Sequence, residues 1–247
     1  MRIIDCHAHF GEFSRTLVLQ RDAETMISAM DRAGVEKLCV SSFLSIGPEC
    51  KTGNDMVASA VRKYPNRFIG YGVVNPNRPQ EINGELKRCF DELGMSAIKI
   101  HPAFHQYPIS GSAYRQVFEF AAARKLPILS HEWGTPQFLW DLSAEFPVVR
   151  FIIAHVGFWN GRDDFAYREV LRQRQNVFVD LVYSNIYYNA LERLIGMIGA
   201  EQILWGSDFP LHDLPYQLGR LLYANLTDDQ KRKIAGENML RVLDLEA

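Results

Sequence analysis

Eight short runs rich in β-branched and apolar residues recur along the chain: Arg2–His7, Val35–Ser41, Arg67–Val74, Ser96–His101, Leu126–His131, Val149–His155, Asn176–Asp180 and Gln202–Asp208. Their starts are 33, 32, 29, 30, 23, 27 and 26 residues apart. Each step has room for one strand, one helix and two short loops, the βα unit of a parallel sheet. Right-handed crossovers repeated eight times have one economical closed solution, the (β/α)8 TIM barrel, whose usual size of about 250 residues matches this chain of 247. An open doubly wound sheet would normally carry a Gly-rich phosphate loop after its first strand. Here that strand runs into His7-Ala8-His9-Phe10-Gly11 with no GxGxxG.

The intervening segments carry helix punctuation. Asp22 is placed to cap a helix through Ala33 that Gly34 stops, and Gly53-Asn54-Asp55 opens one that ends at Tyr64-Pro65. Ala113–Arg124 has helical apolar spacing, and Thr227 caps a last helix ending near Leu243. No low-complexity linker or shift in composition divides the chain. The expectation is one barrel domain over residues 1–247, with a C-terminal helix.

Lys and Arg total 27 against 29 Asp and Glu, a net charge of −2. That balance speaks against a nucleic-acid partner, which usually requires a basic excess. No apolar run approaches the about 20 residues of a membrane helix, and the N-terminus lacks the basic and apolar regions of a signal peptide. Cys6, Cys39, Cys50 and Cys89 show no CxxC spacing, as expected for reduced thiols in a cytoplasmic protein. Cys6 and Cys39 lie in apolar runs and are expected to be buried.

The seven histidines fall at or just beyond strand ends: His7 and His9, His101 and His105, His131, His155 and His212. In a barrel those positions converge on one mouth. Residues i and i+2 of a strand share a side, so His7 and His9 can present two neutral imidazoles to a divalent metal. Asp208 alternates with Leu204 and Gly206 towards the interior, where a lone carboxylate is costly without a charge partner; a metal supplies one. His155 ends the apolar run Phe151-Ile152-Ile153-Ala154 beside these ligands, a position suited to proton transfer.

Asp5-Cys6-His7-Ala8-His9, Ile128-Leu129-Ser130-His131, Ile153-Ala154-His155-Val156-Gly157 and Gly206-Ser207-Asp208-Phe209-Pro210 together resemble the amidohydrolase superfamily. More narrowly they resemble its branch of small metal-dependent hydrolases and non-oxidative decarboxylases, typified by aminocarboxymuconate-semialdehyde decarboxylase. Tyr64–Gly70, Val74-Asn75-Pro76, Ile98–Pro102 and Glu237–Leu243 add local matches, so the likeness covers the whole chain. It implies one divalent metal, zinc or manganese, on His7, His9, His131 and Asp208, with His155 as acid/base beside Asp208. It also implies a homo-oligomer. Binuclear members of the superfamily bridge two metals with a carboxylated strand-four lysine, for which Lys99 is the formal counterpart; otherwise Lys99 is expected to pair with an interior carboxylate such as Asp5.

Substrate contacts are expected from His101 and from the loops after strands five and six. Trp133 and Trp159 could wall a small pocket there, and Arg162 could grip a carboxylate bidentately; Phe10, Glu12 and Tyr183 are weaker candidates of the same kind. The ligand set serves either hydrolysis of a small amide, lactone or ester, or decarboxylation of an unsaturated or aromatic acid; a non-catalytic barrel, the third alternative, should show lost ligands, and none is missing. Compact length, and Arg162 as the one evident basic group near the mouth, favour hydrolysis.

Overall fold

The computed structural model describes residues 1–13, 22–158, 165–182 and 187–245. The strands are Ile4–Phe10 (β1), Lys37–Ser42 (β2), Phe68–Gly72 (β3), Ala97–Ile100 (β4), Pro127–Ser130 (β5), Arg150–Ile153 (β6), Val177–Asp180 (β7) and Ile203–Leu204 (β8). They pair in chain order, each neighbour parallel. The circle closes where Ala8 bridges Phe209, and where the N–H groups of Cys6 and His9 donate to the carbonyls of Trp205 and Phe209. This is the (β/α)8 barrel that the spacing of apolar runs implies. Among the described residues no helix is long and apolar enough to cross a membrane.

The last strand is shorter than its apolar run suggests. After Leu204 the Trp205 N–H turns to the carbonyl of Ile234, and Asp208 takes a left-handed φ of 60° with its N–H on the His7 carbonyl. The helices follow their caps. Asp22 accepts from the Thr25 N–H ahead of Ala23–Ala33, and Gly34 ends that helix at φ 71°. Thr227 and Gln230 form a reciprocal capping box at the start of the terminal helical segment, which continues to Val242. The helix expected to open at Gly53 begins earlier, spanning Cys50–Lys63. Gly53 lies inside it because a Cβ there would come within 2.4 Å of the Ser45 backbone. A close approach, not a helix start, explains that glycine.

Two apolar layers follow from strand alternation. Ile4, Cys6, Cys39, Ile69, Tyr71, Ala97, Leu129, Ile152, Phe178 and Leu204 form the barrel interior, closed at the bottom by Met239, Leu240 and Val242 of the terminal helix. Ala8, Leu38, Val40, Ile98, Ile100, Ile128, Phe151, Ile153 and Val179 face the helices outside. All four thiols are free and buried.

β1 changes phase part-way. Ile4 and Cys6 point inward, yet two residues on Ala8 belongs to the outer layer. The register against β2 slips between Asp5 and Ala8, where the β1 side holds one residue more than its partner. Such a bulge reverses the faces of everything beyond it. His7 and His9 thereby enter the interior above Cys6.

Candidate active site

The expected residues meet at the C-terminal end of the barrel. The ligand-type atoms of His7, His155 and Asp208, all buried, lie within 4.8 Å of one another. His9 Nε2 is 3.0 Å from Asp208 Oδ1, and His7 Nε2 is 3.7 Å from the same oxygen. The His131 ring packs edge-on to His155 at 4.7 Å, and His101 stacks on His131 at 4.0 Å. Among the described residues, the trio whose ligand atoms come together thus includes His155, which sequence reasoning placed beside the metal. His9 and His131 adjoin the trio.

One left-handed turn and one closely packed glycine aim the key side chains. His155, Val156 and Gly157 follow β6 at φ 56°, 52° and 57°. For a β-branched valine this is a costly conformation, of order 1–3 kcal/mol. The turn is held by the Asp180 carboxylate, whose Oδ1 accepts the His155 N–H at 2.7 Å. Gly206 lets the segment after β8 press against β1: a Cβ there would meet Val182, Cys6 and the His7 Cβ at 2.9–3.1 Å.

Electrostatics keep the imidazoles neutral. Burial pushes His155 down to about 4 and His131 to about 3, and drives His7 well below its ordinary range with help from the Lys99 charge. Burial works the other way on Asp208, but the His9 hydrogen bond and the nearby Lys99 charge outweigh it and hold the carboxyl low. Neutral nitrogens around an ionised carboxylate are the donor set a divalent ion takes, with metal ligands required in deprotonated form. The residues present therefore fit one.

Lys99 and Asp180 are the larger surprises. Lys99 is fully buried and places Nζ 2.8 Å from His7 Nε2. Burial lowers its pKa to about 8, opposed by Asp208 and Asp180. The expected partner Asp5 is engaged elsewhere. It accepts the N–H groups of His7 (2.9 Å) and Ser207 (3.0 Å) and the Ser207 hydroxyl, and it sits at about 7 because burial raises it against those bonds. Asp180, the last residue of β7, went unnoticed in the sequence. A lone acid closing an apolar strand was the signal that could have found it.

The remaining assignments are redistributed. Trp133 does not wall the mouth: it is fully buried outside the barrel, its indole N–H donating to the Ile152 carbonyl and its ring packed against Phe151 and Phe118. Phe10 likewise packs outward on Phe68. His101 accepts the Phe104 N–H through Nδ1 and so caps the short helix Pro102–His105. Trp159, Arg162 and Tyr183 lie outside the described residues. Among the described residues, aromatic rings beside the cluster include Phe43, stacked on His9 at 4.6 Å, with Phe13 against Phe43 at 4.8 Å.

The amidohydrolase family model matches residues 4–245. A 2-amino-3-carboxymuconate-6-semialdehyde decarboxylase of Dictyostelium discoideum is 23% identical, over 78% of this chain and 66% of that protein; the chain thus spans slightly less than two thirds of that relative. A gamma-resorcylate decarboxylase of Polaromonas sp. (strain JS666) is 21% identical over 93% of this chain and 86% of its own. Among solved structures, 2,6-dihydroxybenzoate decarboxylase bound to 2,6-dihydroxybenzoate superposes with a TM-score of 0.83 at 17% identity, covering 99% of each chain. A manganese-bound 5-carboxyvanillate decarboxylase from Novosphingobium aromaticivorans gives 0.81 at 16%, covering 99% and 96%. These structural likenesses show the shared barrel. The expectation of hydrolysis is corrected here, because these relatives are decarboxylases. That expectation rests on compact length and on Arg162 as the one evident basic group near the mouth, whereas the structure buries the Lys99 ammonium within the site itself.

Proposed function

We propose that this chain, which belongs to the amidohydrolase family, is a metal-dependent, non-oxidative decarboxylase of a small aromatic or unsaturated carboxylic acid. The observation that carries the reading is the buried meeting of His7, His155 and Asp208 within 4.8 Å, with the Lys99 ammonium at its edge. The decarboxylase relatives support the same chemistry.

In this reading His7, His9, His131 and Asp208 hold one divalent ion. Bound there, the ion acts as a Lewis acid that orients the substrate and polarises its oxygens. Manganese, carried by a solved relative, and zinc, expected from the donor set, are the two to compare. The chain's own residues supply the rest. Lys99 offers positive charge to an arriving carboxylate. Phe43 and Phe13 give a flat apolar wall beside His9 for the body of the substrate. His155, neutral because of burial, takes up a proton from water and passes it to the carbon that loses its carboxylate; the C–C bond breaks, CO2 leaves and C–H takes its place. Residues 1–247 act in this reading as one barrel unit.

The test uses purified protein reconstituted with manganese or zinc and a panel of hydroxybenzoates in D2O. Release of CO2 with one deuterium at the former carboxyl carbon is expected. Turnover that places 18O from water in the product, with no CO2, would rule the proposal out.

A further inference from the structure

We infer that Asp180 is the positioning residue that fixes the tautomer and aim of His7 and locks it to the His155 turn. The inference rests on the reading of His7 as a metal ligand. Asp180 closes β7, and its side chain is fully buried. One oxygen, Oδ1, accepts the backbone N–H groups of His155 at 2.7 Å and Val182 at 3.1 Å. Both are pure donors, so they hold the carboxylate in place and leave Oδ2 facing His7 Nδ1 at 2.8 Å.

The other ring nitrogen gives the same answer independently. Lys99 Nζ lies 2.8 Å from His7 Nε2. An ammonium has donors and no acceptor, so it needs a bare lone pair on Nε2. Burial pushes the Asp180 carboxyl up, while the Lys99 charge and the His155 and Val182 N–H groups favour its ionised form; in that form it only accepts, so it needs the proton on Nδ1. The two contacts, from strands on opposite sides of β1, agree on a single tautomer: Nδ1–H towards Asp180, with Nε2 unprotonated and its one lone pair held by Lys99 until a metal takes that ammonium's place. That lone pair lies beside Asp208 Oδ1, 3.7 Å away. Through Oδ1 the same carboxylate steadies the left-handed turn that presents His155. One acid thus sets the relative placement of two groups that come from different strands.

Asp180→Asn isolates this role. The amide oxygen can keep the His155 and Val182 N–H groups, which turns the NH2 onto His7 Nδ1. Nδ1 must then accept, the ring proton moves to Nε2, and the lone pair that would bind metal is lost. Loss of such an outer-shell partner typically lowers metal affinity about 10- to 100-fold.

The experiment measures manganese and zinc affinity by competition with a chelating dye for wild type, Asp180→Asn and His7→Ala. Circular dichroism monitors the fold, and 15N NMR of the imidazoles in metal-free protein reports the tautomer. The expected result is an Nδ1–H tautomer for His7 in wild type, an Nε2–H tautomer in Asp180→Asn, and 10- to 100-fold weaker metal binding in that variant. Wild-type affinity in Asp180→Asn, with binding lost in His7→Ala, would overturn the role of Asp180 alone. Wild-type affinity in His7→Ala would overturn the ligand reading with it. If Asp180→Asn does not fold, the wild-type spectrum still decides: an Nε2–H His7 excludes the inference.

Discussion

The barrel interior is built by opposite rules in its two halves. In the lower half Ile4, Cys39, Ile69, Leu129, Ile152 and Phe178 fill the space with apolar volume, sealed by the terminal helix. In the upper half His7, His9, Lys99, His155, Asp180 and Asp208 are as deeply buried but polar. The lower layer is held by contact and the hydrophobic effect, so each side chain contributes locally. In the upper layer a buried polar group is tolerable only with its partner, so Asp180, His7, Lys99, His9 and Asp208 form one linked set. The difference teaches where changes should add and where they should not.

The comparison breaks most sharply at Asp208. Asp208→Ala removes a carboxylate from the proposed ligand set, and a metal's contribution of several kcal/mol is at stake. Turnover in the decarboxylation assay should fall about 10³-fold or more, with bound metal measured by elemental analysis falling in parallel. Wild-type turnover at wild-type metal content would show that the upper layer is not the site.

Ile69→Ala probes the lower layer on a strand that gives nothing to the upper one. It should cost about 2–5 kcal/mol of stability through the cavity left behind, read from a urea denaturation curve. Turnover of the folded protein should stay near wild type. If Ile69→Ala abolished metal binding, the two layers would not be separable.

Acid probes the upper layer through its histidines. His155 at about 4 and His131 at about 3 bind fewer protons in the folded chain than in the unfolded one, where histidine titrates near 6.5. The folded state is therefore favoured more as pH rises through this window. Its stability drains as pH falls from about 6.5 towards 4, by about 1–3 kcal/mol for each histidine. Urea midpoints at pH 7, 5.5 and 4 check this, and His155→Gln should flatten the dependence.

Much of the molecule was legible without coordinates. The 23–33-residue spacing of apolar runs carries the barrel, because a βα unit has nearly constant length. The placement of His7, His9, His131, His155 and Asp208 at strand ends carries the site, because all parallel strands of a barrel end at one mouth. Trp133 misled because a tryptophan on a loop beside the mouth has two apolar surroundings to choose from. Sequence distance does not tell which, and its indole N–H found the Ile152 carbonyl in the outer layer.

What the sequence alone determined, then, is the set of strands and the chemical identity of the groups at their ends, since both depend on local pattern. Tertiary structure decided how those groups are aimed. The one-residue bulge in β1 turns His7 and His9 inward above Cys6. The left-handed turn after β6 presents His155. Asp180 and Lys99, 81 residues apart in sequence, grip opposite nitrogens of one ring. Each depends on contacts between residues far apart along the chain, and hydrogen-bond complementarity across a closed barrel leaves no trace in the spacing of any single strand.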